Sequence, residues 1–446
     1  MPVRRIRELI DSGLAELPPG ALLAAFSGGL DSSVLLHALA QSAAARDRGL
    51  RAVHVDHGLH GDSASWSRQC REFAQALEVE LVVRAVDVAR VPGLGLEASA
   101  RRARYGAIEA LLATDEILAL AHHRGDQAET VLLKLLRGAG PEGIGAMRTL
   151  RPFGRGRAWR PLLSIPRAAL REYADRHKLS WIQDPSNADP TIDRNYLRMQ
   201  VLPGIVRRWP EAEASMAQSA TWARDAADFI DAEAERALAR TQGLDPATLH
   251  HRQWLALPRA LRDPVLRRWL RSLALPEPTQ YQAAELVRQL GEAGEDRQPC
   301  VRWPGVEVRR YRDLLYALAP LQLPISDWSG RFDGSELELP NGLGRLRLVG
   351  PDGTPRRIDP PLAVRFRRGG ESLRLAGGGP TRELRDLFQE AGIPPWQRGR
   401  LPLVFEPGES GDALIAVADL WRSERGTERL AGADTRLEWT TADAAA

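Results

Sequence analysis

The chain reads as an α/β protein: a doubly wound parallel sheet, followed by a mainly helical middle domain and a small α+β C-terminal domain. Two observations predict this. Short apolar β-type runs at 22–26, 52–55, 81–83 and 117–121 alternate with helical stretches near 33–45, 64–77, 98–113 and 127–137, the alternation that buries a parallel sheet under helices on both faces. The length, 446 residues, exceeds one ordinary core and suggests about three domains. We place them at 1–212, 213–322 and 323–435.

The elements follow in order. Residues 1–13 form an amphipathic helix candidate with no apolar signal core or cleavage site. The four strand–helix units come next, and Pro203 and Pro210 punctuate their end. From Glu211 to Arg240 the chain is rich in Ala, Asp, Glu and Arg and reads as one long helix. Between 245 and 320, Trp254, Leu257, Leu261, Leu266, Trp269 and Leu270 recur at helical spacing, which marks a core face, and a β-like piece follows near 306–316. Residues 320–360 are rich in Pro, Gly and Asp, with an alternating run at 343–349, and introduce the third domain. The final TTADAAA is expected to be disordered.

Composition narrows the function. No stretch of eighteen apolar residues exists, so a membrane span is not expected and the chain reads as cytosolic. Cys70 and Cys300 are the only cysteines and lie far apart, which supports neither a disulfide framework nor a CxxC metal or redox site. Net charge is +3, yet Lys134 and Lys178 are the only lysines among 61 basic residues. Arginine's planar fork suits phosphate. Residues 151–210 hold twelve basic against five acidic side chains, and 356–400 ten against five. Two separated basic stretches fit a long polyanion such as RNA.

The strongest local signal is Ser27-Gly28-Gly29-Leu30-Asp31-Ser32-Ser33, between the first strand and its helix. Glycines admit an anion close to the backbone, amides and the helix N-terminus point at it, and serine hydroxyls add donors. No lysine follows the glycines, so this is not the GxxxxGK[ST] loop. Ligands of such sheets bind outside the carboxyl ends of the strands, where 54–57 and 122–126 also fall. His54-Val55-Asp56-His57 can face a nucleotide, with Asp56 or His57 on ribose or metal, or can be turn chemistry. Arg101 and Arg104 share a helix face and suit a transferring phosphate. Asp126 and Glu129, three apart at a helix start, can hold an amine or magnesium, or form an Asp-x-x-Glu capping box. Asp184-Pro185-Ser186-Asn187 leads to Asp193-Arg194-Asn195-Tyr196-Leu197-Arg198, whose arginines lie in the first basic stretch.

The 27–33 motif resembles the SGGxDS loop of the PP-loop ATP pyrophosphatases. That resemblance implies cleavage of ATP between its α and β phosphates, adenylation of a substrate oxygen, and displacement of AMP by a nucleophile. Together, SGGLDSS, HVDHGL, EASARRARY, HHRGDQAET with 133–140, and DPSN with DRNYLR resemble the tRNA(Ile)-lysidine synthetase family. The likeness continues through Arg365-Phe366-Arg367-Arg368-Gly369-Gly370-Glu371, 383–388, 392–394, Arg398 and 400–403, similar to that family's C-terminal tRNA-binding domain. It departs at Gly125, where the family usually carries a second Asp.

What the resemblance implies is specific. The substrates are ATP, L-lysine and the isoleucine tRNA with a CAU anticodon, whose wobble cytidine is adenylated at the C2 oxygen and then attacked by the lysine amine. ATP is held by Ser27, Gly28, Gly29, Leu30, Asp31, Ser32, Ser33, His54 and Asp56, with Mg2+ on Asp31. Arg101, and Arg104 less centrally, face the α phosphate; Asp126 and Glu129 take the lysine amine. Arg194, Arg198, Arg367 and Arg368 contact RNA. Oligomeric state is left open, a homodimer included. Two rival readings stand beside it: a tRNA 2-thiolating enzyme of the same loop class, which generally needs catalytic cysteines, and a non-catalytic RNA-binding protein.

Overall fold

The computed structural model describes residues 2–58, 61–88, 96–185, 189–294, 297–409, 411–430 and 434–440. Leu59, Ser186, Asn187 and 441–446 lie outside these, as does the side chain of Glu97. The chain forms two compact units, 1–232 and 233–446.

The first unit opens with helix α1 (Pro2–Glu16) and strand β1 (Leu22–Ala25). Helix α2 (Leu30–Ala40) follows, then α3 (Ala43–Asp47), β2 (Leu50–Asp56), α4 (Ser63–Ala76), β3 (Glu80–Ala85), α5 (Leu96–Leu111), β4 (Ile117–Ala119), α6 (Arg124–Leu136) and α7 (Pro141–Ile144). A hairpin of β5 (Leu150–Phe153) and β6 (Gly156–Trp159) precedes α8 (Arg167–Arg176). The sheet runs β3-β2-β1-β4-β6-β5, with every pair parallel except β5 with β6. The β5–β6 hairpin was not expected from sequence, because Pro152 and the Gly154-Arg155-Gly156 turn interrupt its apolar pattern. Pro152 is tolerated because β5 is the edge strand.

Both faces of the sheet are covered. Leu22, Ala24, Ile117 and Ala119 pack on one side with α2's Val34, Leu35 and Leu36, while Leu23, Leu118, Val53 and Ala158 pack on the other with Ile108 of α5 and Leu112 just after it. Alternate residues of each strand therefore belong to different cores, which explains the uninterrupted apolar runs. Helix α2 is buried on nearly all sides, as an all-round apolar helix must be. Its amino end emerges at the carboxyl edge of the sheet.

Beyond α8, α9 (Asp193–Tyr196), a π-helical turn at Leu197–Val201 and α10 (Leu202–Arg208) lead to the long α11 (Ala212–Thr241). In the second unit, helices at His251–Ala256, Arg259–Ser272 and Gln280–Glu292 accompany a four-stranded antiparallel sheet. Trp254, Trp269, Leu266 and Leu270 are fully buried there, the core face that their spacing predicts. The same unit holds a five-stranded sheet and a three-stranded one, around clusters that include Phe332 and Phe366 in one and Phe388 and Phe405 in the other.

Candidate active site

The turn between β1 and α2 is held open by its own sequence. Gly28 sits at φ +79°, and a Cβ there would lie 2.5 Å from Ile182 Cδ1 and 2.8 Å from Cys70 Sγ. Only glycine satisfies both the dihedral and the space. The Gly28 carbonyl accepts from the Ile182 amide at 2.8 Å, and Ser33 Oγ reaches the same carbonyl at 3.4 Å. Ser32 Oγ donates to the Gly29 carbonyl at 2.9 Å and lies 3.0 Å from Ser27 Oγ. Gly29 is the N-cap of α2 and supplies no side-chain cap. The first amides of α2 are thus left facing the crevice, where an anion completes them.

Asp31 is in the first turn of α2. Its Oδ1 is buried without a hydrogen-bond partner, 3.8 Å from Arg167 Nε, while Oδ2 lies 3.8 Å from His123 Nε2. Burial raises its carboxyl above the usual range, and His123 and Arg167 offset only part of this. Arg167, at the start of α8, was not anticipated. The only sequence signal for it was its place behind Pro166, the N-cap of that helix.

His123 caps α6. Its Nδ1 accepts from the Gly125 amide at 3.0 Å and more weakly from the Asp126 amide at 3.4 Å, and its own amide donates to Asp126 Oδ2 at 2.9 Å. A capping box does exist, but its register is His123 with Asp126, not Asp126 with Glu129. Because Nδ1 accepts, Nε2 carries the proton and faces the carboxylates of Asp31 and Asp126, at 3.8 and 3.5 Å. Gly125 fits this arrangement: a Cβ there would come 2.9 Å from His123 Cε1.

Glu129 is 2% exposed and accepts from Arg194 Nε at 2.6 Å, Arg198 Nε at 2.6 Å and Arg198 Nη2 at 2.9 Å. Asp126 Oδ1 takes Arg198 Nη2 at 3.1 Å and Arg194 Nη2 at 3.3 Å. Two acids on one turn of α6 and two arginines four apart, one in α9 and one in the π-helical turn that continues it, form a closed network. Burial alone would raise Asp126, but His123 and Arg194 hold it below the usual carboxylate range.

The remaining candidates separate into two groups. His54 is buried, with Nδ1 2.9 Å from the Phe26 carbonyl, and burial lowers its pKa. Asp56 accepts from the Gly58 amide at 2.9 Å and from Ser67 Oγ at 3.1 Å. These two tie the loop after β2 to its surroundings. Arg101 and Arg104 both lie over the Tyr105 ring, at 5.0 and 5.5 Å from its centroid. In the second unit Arg367 is 3.8 Å from Glu371, whereas the exposed Arg368 engages Glu371 through its backbone amide, at 2.6 Å. Cys70 is buried and its thiol is pushed up to about 12, so it is held un-ionised and unsuited to nucleophilic work.

Relatives match nearly all of the chain. A protein named tRNA(Ile)-lysidine synthase from Xanthomonas axonopodis pv. citri is 43% identical over 441 residues, covering 96% of both chains. A protein of the same name from Pseudomonas aeruginosa is 41% identical, covering 90% of both. The chain belongs to the tRNA(Ile)-lysidine synthase family. A PP-loop domain family matches residues 3–205, the TilS substrate binding domain 249–316 and the TilS substrate C-terminal domain 362–439. Among solved structures, the U34-tRNA thiolase NcsA from Methanococcus maripaludis with its [4Fe-4S] cluster covers half of this chain at 15% identity and TM-score 0.42. A crystal structure of a TILS C-terminal domain aligns over 98% of its own length and 26% of this chain, at 27% identity and TM-score 0.20. As a member of the lysidine synthases, the chain is an enzyme that uses ATP through its PP-loop domain. Among the described residues, no helix is long and apolar enough to cross a membrane.

Proposed function

We propose that the enzyme ligates lysine to the C2 position of the wobble cytidine of the CAU-anticodon isoleucine tRNA, with release of pyrophosphate and then AMP. The observation that carries this reading is the glycine turn at Gly28 and Gly29, set against an uncapped helix end and a buried carboxyl oxygen of Asp31 that accepts no hydrogen bond. The amides of α2 with Ser27, Ser32 and Ser33 receive the phosphates that leave as pyrophosphate. Asp31 fits Mg2+, since a buried carboxylate oxygen without a hydrogen-bond partner is a ready hard-cation ligand; the ion would neutralise phosphate charge there.

Arg101 stabilises charge at the α phosphate as the C2 oxygen attacks, with Arg104 beside it. His54 and Asp56 fix the loop that borders the nucleotide. Asp126 receives the lysine ammonium, and Glu129 contributes by holding Arg194 and Arg198 in place around it. Arg194 and Arg198 thereby border the substrate crevice, while Arg367 and Arg368 belong to the RNA-binding C-terminal part. Loss of a proton from the ammonium precedes its attack on C2, and the Asp126 carboxylate is the acceptor at hand, because Nε2 of His123 already carries a proton. The chain works in the cytoplasm, where tRNA, ATP and lysine meet.

The deciding experiment incubates the protein with unmodified CAU-anticodon isoleucine tRNA, ATP and lysine, then analyses the nucleosides. Lysidine, with AMP and pyrophosphate formed in equal amounts, is expected. A 2-thiolated product, or RNA binding with no ATP turnover, would replace this reading with one of its rivals.

A further inference from the structure

The face of the sheet under α5 contains a second cationic group of a different kind from the α6 network. Arg160 follows β6 and is 4% exposed, yet among the described residues its side chain makes one hydrogen bond, from Nη1 to the Arg148 carbonyl at 2.8 Å, and its Nε is buried without a hydrogen-bond partner. Buried guanidinium groups are ordinarily paired with an acid. Among the described residues Arg160 makes no ion pair, and neither do Arg101 or Arg151.

These three surround two rings. Tyr105 of α5 and Phe153 of β5 meet edge to face at 5.8 Å. Arg101 lies 5.0 Å from the Tyr105 centroid, and Arg151 lies 5.9 Å from that of Phe153. Arg151 is opposite Ala158 in the β5–β6 ladder, and Ala158 and Phe153 pack on the α5 side. Burial first, then the charges of Arg151 and Arg101, bring the Arg160 guanidinium down to about 10. Close by, the Nδ1 atom of His122 is also buried without a partner.

We propose that Arg151 and Arg160, set around the Tyr105–Phe153 pair beside Arg101, form the docking surface for the single-stranded RNA segment that carries the reacting base, with Arg160 anchoring one of its phosphates. The chemistry matches on each count. A buried cation without an acid favours an anion, and guanidinium planes set beside aromatic rings offer stacking surfaces to unstacked bases. Arg160 lies at the carboxyl end of β6, beside β4 and one strand removed from the glycine turn, while Phe153 is opposite Gly156 at that strand's amino end. A phosphate held there leaves the adjoining base free to enter the crevice.

This inference rests on the lysidine-forming function proposed above, and its test keeps the two apart. Full-length Arg151→Gln, Arg160→Gln and the double variant are titrated with an anticodon stem–loop of the tRNA at several salt concentrations, and KM for ATP is measured in parallel. The salt slope should fall by about 0.7 for each arginine lost and about 1.4 for both, because each contact to a single strand releases that share of counterions. KM for ATP should remain within twofold. Unchanged slopes overturn the proposal, and a raised KM for ATP with unchanged slopes assigns the phosphate to the nucleotide instead. Arg151 is exposed, so its variant decides the matter if Arg160→Gln does not fold. Failure of the wild type to form lysidine strikes the proposed function and leaves the RNA-binding result to stand by itself.

Discussion

Arg194 and Arg198, in α9 and the π-helical turn that continues it, and Arg151 and Arg160, on and after the edge hairpin, come from the same basic stretch of sequence and have opposite fates. The first two are closed onto Glu129 and Asp126 at 2.6–3.3 Å. The second two meet no acid among the described residues. The stretch has twelve cations against five anions, and that ratio cannot distinguish them. What distinguishes them is whether a buried carboxylate lies opposite, which is decided by tertiary contact across 65 to 72 residues. An arginine count therefore identifies a polyanion binder but not its contact residues.

The comparison predicts that the closed network is structural first. Removing Glu129 leaves two guanidinium groups with their main acceptor gone, and breaking a buried pair in this way costs about 3–5 kcal/mol. Glu129→Ala should melt far below the wild type, whereas the exposed Arg151→Gln should stay within about 0.5 kcal/mol. Thermal or urea unfolding of the two variants tests this, and equal stabilities would dissolve the distinction.

Asp31 is the opposite case of a carboxylate without such support. Asp31→Asn should lower adenylation by about 10²–10³-fold, the scale of one lost electrostatic element, while RNA affinity changes less than threefold. Its stability should move the other way. The folded carboxyl titrates above its ordinary value of 3.8, so ionisation costs folding free energy. That cost is absent below the unfolded value, grows as pH rises through the interval up to the folded one, and then stays constant. At pH 7 the Asn variant should melt at or above the wild type, and below pH 3.8 the difference should vanish. A variant less stable at neutral pH would show that Asp31 is a structural acid.

Asp126 lies between these extremes. Asp126→Asn keeps an oxygen for the His123 amide but loses the charge, so pyrophosphate release should continue while KM for lysine rises about 10- to 100-fold, the value of a charged hydrogen bond. Unchanged lysine dependence would confine Asp126 to its capping role.

Much of this was legible in the sequence, and for physical reasons. The parallel sheet showed because strands buried on both faces are continuous apolar runs, and the glycine turn because Gly28 tolerates no side chain. Three features were not legible. The β5–β6 hairpin lacks a β pattern around Pro152. The capping register moved because His123, rarely an N-cap, outcompetes Asp126 when its ring nitrogen reaches two amides. Arg160 and Arg167 become notable only once the fold sets one in the interior without an acid and the other beside Asp31.

The smallest predicted effect carries the same contrast into the second unit. Arg365 is stacked on Phe405 at 3.8 Å and lies 3.6 Å from Asp412, Arg398 binds the Ile393 carbonyl at 2.8 Å and the Tyr311 hydroxyl at 3.1 Å, and Arg367 faces Glu371. Arg368 differs: it is exposed, and Glu371 takes its backbone amide and that of Gly369 rather than its guanidinium. Arg368→Gln should therefore reduce the salt slope of full-length tRNA binding by about 0.7–0.9, one phosphate contact. Arg367→Gln should change the slope less and stability more, since it removes an internal partner of Glu371. Salt-dependent filter binding together with thermal melting of both variants measures the two effects. Equal slope losses would mean that Arg367 leaves Glu371 when RNA binds, and that the open and closed arginines of this unit are interchangeable states.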